Sequence, residues 1–307
     1  MIRKLFITAV ALAAMMAASA QAVISKGDIN LIVVSDTGRN GYYDQKTVAV
    51  GMGDVAEQIG PDAVLALGDT HHYEGVQSVN DPLWMTNFEL IYSHPELMVP
   101  WYAVCGNHEY RGNTGAVVDY SSVSRRWEMP AKYYTKVFED KGTTVRVVFL
   151  DTTPLIDKYR KKSDEYPDAA LQDVEEQLKW LESTLAGADE DWIVVVGHHP
   201  IYASTDKSDA ERTDMQRRVN KILTRHKVDM YICGHIHNYQ HIHRSEYDID
   251  YIVNTSGSKT RQPGDVEGTR FRSDASGFSV LSADKKSLRF NMLDKDGKLI
   301  HTVTRDK

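Results

Sequence analysis

One pattern dominates the chain between residues 30 and 235: a short, largely apolar run stops abruptly at Gly, Asp, Asn or His. Asn30 to Val34 leads into Ser35-Asp36-Thr37-Gly38, Ala63 to Leu67 into Gly68-Asp69, and Trp101 to Val104 into Gly106-Asn107-His108. Farther on, Val145 to Leu150 stops at Asp151, Trp192 to Val196 at Gly197-His198-His199-Pro200, and Asp229 to Ile232 at Gly234-His235-Ile236-His237. Such runs, bounded by turn formers, read as buried strands, because near-continuous apolarity suits a sheet covered on both faces. The rhythm predicts an α/β chain whose mostly parallel sheet carries its polar residues at the carboxyl edge.

Between the runs, Leu171, Val174, Leu178, Leu181 and Leu185 recur every three or four residues and predict a helix with one apolar face. Residues 44 to 59 and 209 to 226 carry a weaker pattern of the same kind. Beyond Tyr251 the spacing changes to antiparallel strands, Phe278 to Leu281, Ser287 to Met292 and Leu299 to Thr304, the last two joined by a turn at Asp296-Gly297. Residues 111 to 125 and 157 to 168 are polar and turn-rich and read as loops. No repeat, low-complexity tract or sustained heptad divides the chain, so a single domain is expected.

Residues 1 to 22 read as a secretory leader, with Arg3 and Lys4, an apolar run from Leu5, and small residues at Ala18-Ser19-Ala20 or Ala20-Gln21-Ala22 for cleavage. The apolar run is short of the roughly 20 residues that span a bilayer. A soluble periplasmic or secreted protein comprising residues 23 to 307 is the expectation. The formal charge is −7, and two units more negative without Arg3 and Lys4. It gives no global reason to seek nucleic acid or anionic lipid, so phosphate chemistry would have to be local. Cys105 and Cys233, each at the end of an apolar run, read as small buried hydrophobes.

Collecting the polar residues at the strand exits gives Asp36, Asp69, His71 or His72, Asn107, His108, His198, His235 and His237. A single histidine at such a place has a bland explanation as a buried imidazole bonded to a carbonyl. Repetition at successive exits does not. Carboxylates, imidazoles and an amide without thiolate suit iron, manganese, zinc or similar ions, and the donors outnumber one tetrahedral site. Two cations about 3.5–4 Å apart can polarise a phosphoryl oxygen and acidify water, which points to phosphoester hydrolysis. His108, next to Asn107, is free to donate a proton to a leaving alkoxide.

The motifs Asp36-Thr37-Gly38, Gly68-Asp69-Thr70-His71-His72, Gly106-Asn107-His108-Glu109, Val195-Val196-Gly197-His198 and Gly234-His235-Ile236-His237 stand in this order. They resemble the calcineurin-like metallophosphoesterases, and more closely the small purple, or tartrate-resistant, acid phosphatases. Val99-Pro100-Trp101-Tyr102, Arg126-Trp127-Glu128-Met129-Pro130 and Leu150-Asp151-Thr152 look like the same group. The resemblance implies a four-layer α/β/β/α sandwich in a single domain. It also implies a phosphomonoesterase in which metal-bound hydroxide attacks phosphorus, with a small phosphoester as substrate and two metal ions, iron with iron, zinc or manganese. By the same resemblance Asp36 and His237 bind the first metal, Asn107, His198 and His235 the second, and Asp69 bridges. The family's tyrosine ligand falls at His72, with Tyr73 one residue late, so His72 is expected to coordinate in its place; the alternatives are a local bulge that brings Tyr73 in, or no donor from this turn. Alternatives are a phosphodiesterase, nucleotidase or pyrophosphatase on the same site, or a non-catalytic metal-binding protein. His199 could shape its turn or meet substrate. His241 and His243 read as a solvated strand face, and Lys158 to Tyr166 as an exposed cover over the site.

Overall fold

A computed structural model describes residues 24–254 and 256–307; the expected leader, residues 1–22, lies outside the described residues. The apolar runs form two seven-stranded sheets. The first contains β1 (Ile29–Val34), β2 (Ala63–Ala66), β3 (Trp101–Ala103), β4 (Trp127–Glu128) and, from the C-terminal region, β12 (Gly277–Ala283), β13 (Ser287–Asp294) and β14 (Leu299–Asp306). The second contains β5 (Tyr134–Asp140), β6 (Thr143–Phe149), β7 (Trp192–Val196), β8 (Met230–Cys233), β9 (Tyr239–His243), β10 (Asp250–Asn254) and β11 (Thr269–Ser273). Their orders are β14-β13-β12-β1-β2-β3-β4 and β11-β9-β10-β8-β7-β6-β5. A parallel set (β1 to β4; β6, β7, β8 and β10) adjoins antiparallel strands, on one side in the first sheet and on both sides in the second.

The exits therefore line the edges of two sheets rather than one. Sequence periodicity cannot separate these arrangements, because a strand's apolar run is the same whichever sheet receives it. Strands β1, β7, β8, β10 and β12 are buried along their whole length, as strands covered on both faces must be. Polar side chains stitch the two layers together. Tyr239 Oη lies 2.6 and 2.7 Å from the carbonyls of Phe278 and Leu293, Trp192 Nε1 donates to the Asp284 carbonyl, and Asn254 donates to the Val33 carbonyl.

Helix α1 (Gln45–Ile59) packs on β1 and β12. The short helices α2 (Thr114–Asp119) and α3 (Asp157–Arg160) occupy segments that read as loops, too few residues for a periodic pattern to register. Helix α4 (Val174–Ala186) begins three residues later than its leucine spacing suggests, because the Asp173 carboxylate accepts from the Glu176 N–H and caps it there; Leu171 is left exposed. Helix α5 (Asp209–Met215) continues through a π-turn, Gln216–Asn220, within the expected helical segment. Hairpin β5–β6 escaped the apolar reading, since β5 alternates buried and exposed residues; its two-residue turn has Lys141 and Gly142 both at positive φ. Cys105 and Cys233 are free and buried.

Candidate metal centre

Strands β1 and β2 run in register, so Asp36 and Gly68 leave the sheet side by side, with Asp36 N–H donating to the Gly68 carbonyl. In the second sheet β7 and β8 end level, and Gly234 N–H donates to the His198 carbonyl. Two glycines permit the close approach of these loops. A Cβ on Gly106 would collide with the Asp69 carboxylate, and one on Gly234 with that of Asp36. Asp36, Asp69, His235 and His237 all hold left-handed backbone, φ between 52° and 74°, a conformation disfavoured for side-chain-bearing residues.

The turns converge. Donor atoms of Asp36, Asp69, His72 and His237 lie within 4.8 Å of one another, and those of His198, His199 and His235 form a second group of three within the same distance. The Oδ2 atom of Asp69 lies 3.2 Å from His198 Nε2 and 3.4 Å from His72 Nε2, facing both groups, while Asp36 Oδ1 lies 3.2 Å from His237 Nε2. His72 takes the inward position and Tyr73 is 64% exposed.

Hydrogen bonding fixes how the imidazoles present themselves. His198, His72 and His237 donate Nδ1–H to the carbonyls of Leu67, Gly38 and Lys259, which leaves each Nε2 lone pair facing inward. His235 is reversed: its Nε2 meets Glu211 Oε2 at 2.9 Å and its Nδ1 lies 3.2 Å from His198 Nε2. A carboxylate behind an imidazole is the arrangement that orients a metal-ligating histidine. Asp36 Oδ1, His72 Nε2 and Asn107 Oδ1 are buried without hydrogen-bond partners among the described residues. Buried lone pairs left unpaired are costly, and bound cations would satisfy them.

Charge makes the same demand. Burial pushes the Asp36 and Asp69 carboxyls upward, but His237 beside the first and His198 and His108 beside the second outweigh it and hold both well below the ordinary range. Burial alone would make His198 less basic; Asp69 and Asp36 reverse this and raise it to about 9. The two carboxylates thus draw positive charge into the site. At His72 and His108 burial prevails and lowers the pKa.

The neighbouring residues take defined places, some as read from the sequence and some not. His71 is buried, edge-on to Trp84 and next to Asn87, behind the turn that carries His72. His199 has both nitrogens occupied, by Thr152 and by Tyr159, so it is a wedge rather than a free donor. His241 and His243 share Asp250 Oδ1 instead of forming a solvated face. The segment from Lys158 to Tyr166 is tied down by Lys158 and Tyr159 to Glu211 and by Arg111 to Glu165 and Tyr166, rather than lying loose over the site. Trp127 packs among Trp84, Phe88 and Tyr120, and Tyr134 stacks on Phe149.

Glu109, Glu211 and Lys207 went unread as contributors. Glu109 accepts from the N–H groups of Asp69, His71 and Gly106, tying two of the turns together. Its place directly after Asn107-His108 was a usable signal. Lys207 Nζ lies 3.1 Å from His235 Nε2, and neither it nor Glu211 has a local pattern pointing to a partner more than twenty residues away.

The family model described as Calcineurin-like phosphoesterase matches residues 29–239. The chain is 31% identical over 292 residues to purple acid phosphatase 3 of Arabidopsis thaliana, covering 90% of this chain and 77% of that one. It is 32% identical over 257 residues to the tartrate-resistant acid phosphatase type 5 of Homo sapiens, covering 78% of each. Among solved structures, GAP50, described as the anchor in the inner membrane complex of Plasmodium, superposes with a TM-score of 0.77 at 22% identity, covering 91% of this chain and 88% of that one.

Proposed function

The chain belongs to the calcineurin-like phosphoesterase family and is a metal-dependent phosphoric ester hydrolase similar to the purple acid phosphatases, and on that premise we propose that it is an exported phosphomonoesterase. In this reading Asp36, His72 and His237 hold one cation, Asn107, His198 and His235 hold another, and Asp69 lies between them. A bound pair of cations would supply Lewis acidity toward the phosphoryl oxygens and acidify water. The observation that carries the reading is Asp69 Oδ2, set between His198 from one sheet and His72 from the other, with buried unpaired lone pairs on either side.

His108 donates Nδ1–H to the Tyr73 carbonyl at 2.5 Å, which aims Nε2 toward Asp69 Oδ2, 3.9 Å away. Its imidazole is thereby directed at the edge of the site, where a protonated Nε2 can hand its proton to a departing alkoxide. Burial depresses its basicity, and an arriving phosphate dianion opposes that depression. Glu211 fixes the ring of His235, and Glu109 fixes the turn that carries Asp69.

The test compares a phosphomonoester with the matching diester, and an activated aryl ester with an alkyl ester. The expected result is monoester turnover that Asp69→Ala and Asn107→Ala abolish, and that His108→Ala slows most on the alkyl ester. Preferred diester turnover would favour the diesterase alternative, and equal slowing on both leaving groups would remove the acid role of His108. Export is tested by sequencing the N-terminus of the mature protein, expected to begin at Gln21 or Val23.

A further inference from the structure

At the candidate metal centre His198 Nε2 and His235 Nδ1 lie 3.2 Å apart, and Glu211 Oε2 stands 2.9 Å behind the other nitrogen of His235. The same arrangement recurs among residues outside that centre. His241 Nδ1 and His301 Nε2 lie 3.1 Å apart, and Asp250 Oδ1 stands 2.9 Å behind His241 Nε2. Two imidazole nitrogens on one tetrahedral zinc, each about 2.0–2.1 Å from it, stand about 3.3 Å from each other. Both pairs are close to that spacing, and a carboxylate behind one ring is the companion that orients a metal-ligating histidine.

His241 lies on β9 of the second sheet and His301 on β14, the outer strand of the first, so the pair joins the two layers. The pairing of β9 with β10 sets Asp250 opposite His243, and His241, two residues along, points to the same side. Phe271 of β11 stacks on His301 with ring centroids 4.2 Å apart and planes 2° from parallel, which fixes the plane of the imidazole. Asp250 Oδ2 accepts from Arg305 Nη1 at 3.1 Å, and Arg305 also meets Asp229 and Asp248. Burial would raise the Asp250 pKa, but His241 and Arg305 outweigh it and hold the carboxyl below its ordinary range, charged and ready to orient His241. Burial, helped by His241, lowers the pKa of His301 to about 4, so at neutral pH its ring is in the uncharged form that can ligate. His301 is only half-buried, which leaves an ion a way in from solvent.

We propose that His241 and His301 bind one divalent ion of the imidazole-preferring class, zinc foremost, as a clamp between the two sheets, with Asp250 orienting His241. Two protein donors leave the remaining positions to water, so the ion exchanges with solvent. Strand β9 begins two residues after His237, so the clamp fastens the strand that follows the last of the candidate catalytic ligands. The site is separate from the phosphomonoesterase reading, and its test counts a difference of one ion whatever the catalytic centre holds.

Zinc bound at equilibrium is measured by dialysis over a range of free zinc for the unmodified protein, His301→Ala and His301→Gln. The unmodified protein is expected to hold one more zinc per chain than either variant. Circular dichroism and aryl phosphate turnover should be the same in all three, since His301 lies outside the catalytic machinery, and the glutamine keeps a polar side chain on β14 should alanine loosen the strand. Asp250→Asn should weaken the additional ion ~10–100-fold. His243→Ala, which loses a partner of Asp250 but no donor facing His301, should retain it. Equal zinc in the unmodified protein and both His301 variants overturns the clamp and leaves a hydrogen bond between two neutral rings. Loss of the ion in His243→Ala but not in His301→Ala overturns it as well. If the one-ion difference is found and no phosphomonoester is turned over, the clamp stands and the phosphomonoesterase reading falls alone.

Discussion

His72 is where a single residue changes most. With imidazole facing Asp69 and Tyr73 turned outward, a phenolate is missing from the donor set, and neutral imidazole favours ferric iron less than an anionic oxygen does. The iron-loaded protein is expected to lack an intense visible phenolate band, and His72→Tyr to introduce one. A band already present and lost on Tyr73→Phe would reverse the assignment. Glu109 allows a second prediction at this scale. Glu109→Gln replaces one of the two accepting oxygens by an NH2 that faces an N–H donor, and should cost ~10–100-fold in metal affinity or turnover, read from metal content and kcat/KM. Asp36, Asp69, His198, His235 and His237 were legible because each follows its strand directly. Glu211 and Lys207 were not, because only tertiary packing brings them to His235.

At the level of elements, the end of β6 carries a buried carboxylate with one oxygen unpaired. Burial raises the Asp151 pKa to about 7, partly offset by the hydroxyl of Tyr110 that it accepts. An acid whose folded pKa lies above its unfolded value stabilises the fold most while protonated. That contribution is whole below about pH 4 and is lost as pH rises through 7. Asp151→Asn, which keeps an acceptor for Tyr110, should therefore flatten the fall in stability between pH 4.5 and 7.5 by up to about 3 kcal/mol, measured by urea denaturation at both pH values. An unchanged slope would show that Asp151 ionises elsewhere on the scale. Strands with continuous apolar runs were readable along the chain, and α4 nearly so. Hairpin β5–β6 and the short helices were not, since alternation on a partly exposed strand and a single helical turn leave almost no periodic trace.

Across the whole molecule, the candidate ligands come from both sheets: Asp36, Asp69, His72 and Asn107 from the first, His198, His235 and His237 from the second. Cations held there would bind the folded form alone. Adding iron, zinc or manganese at about 100 times Kd should stabilise the protein by roughly 2.7 kcal/mol per site, and a chelator should reverse the gain; a melting temperature indifferent to both would argue against the centre. Sequence spacing could announce that donors exist, but not that two layers share them. The left-handed backbone at Asp36, Asp69, His235 and His237 has an energetic consequence as well. Glycine at any of these places would relax the main chain by about 1 kcal/mol and, at an aspartate, remove a buried negative charge, while ending hydrolysis. Side chains at all four corners thus carry a conformational cost that glycine would not, borne where the carboxylates of Asp36 and Asp69 also accept the N–H groups of His235 and His108.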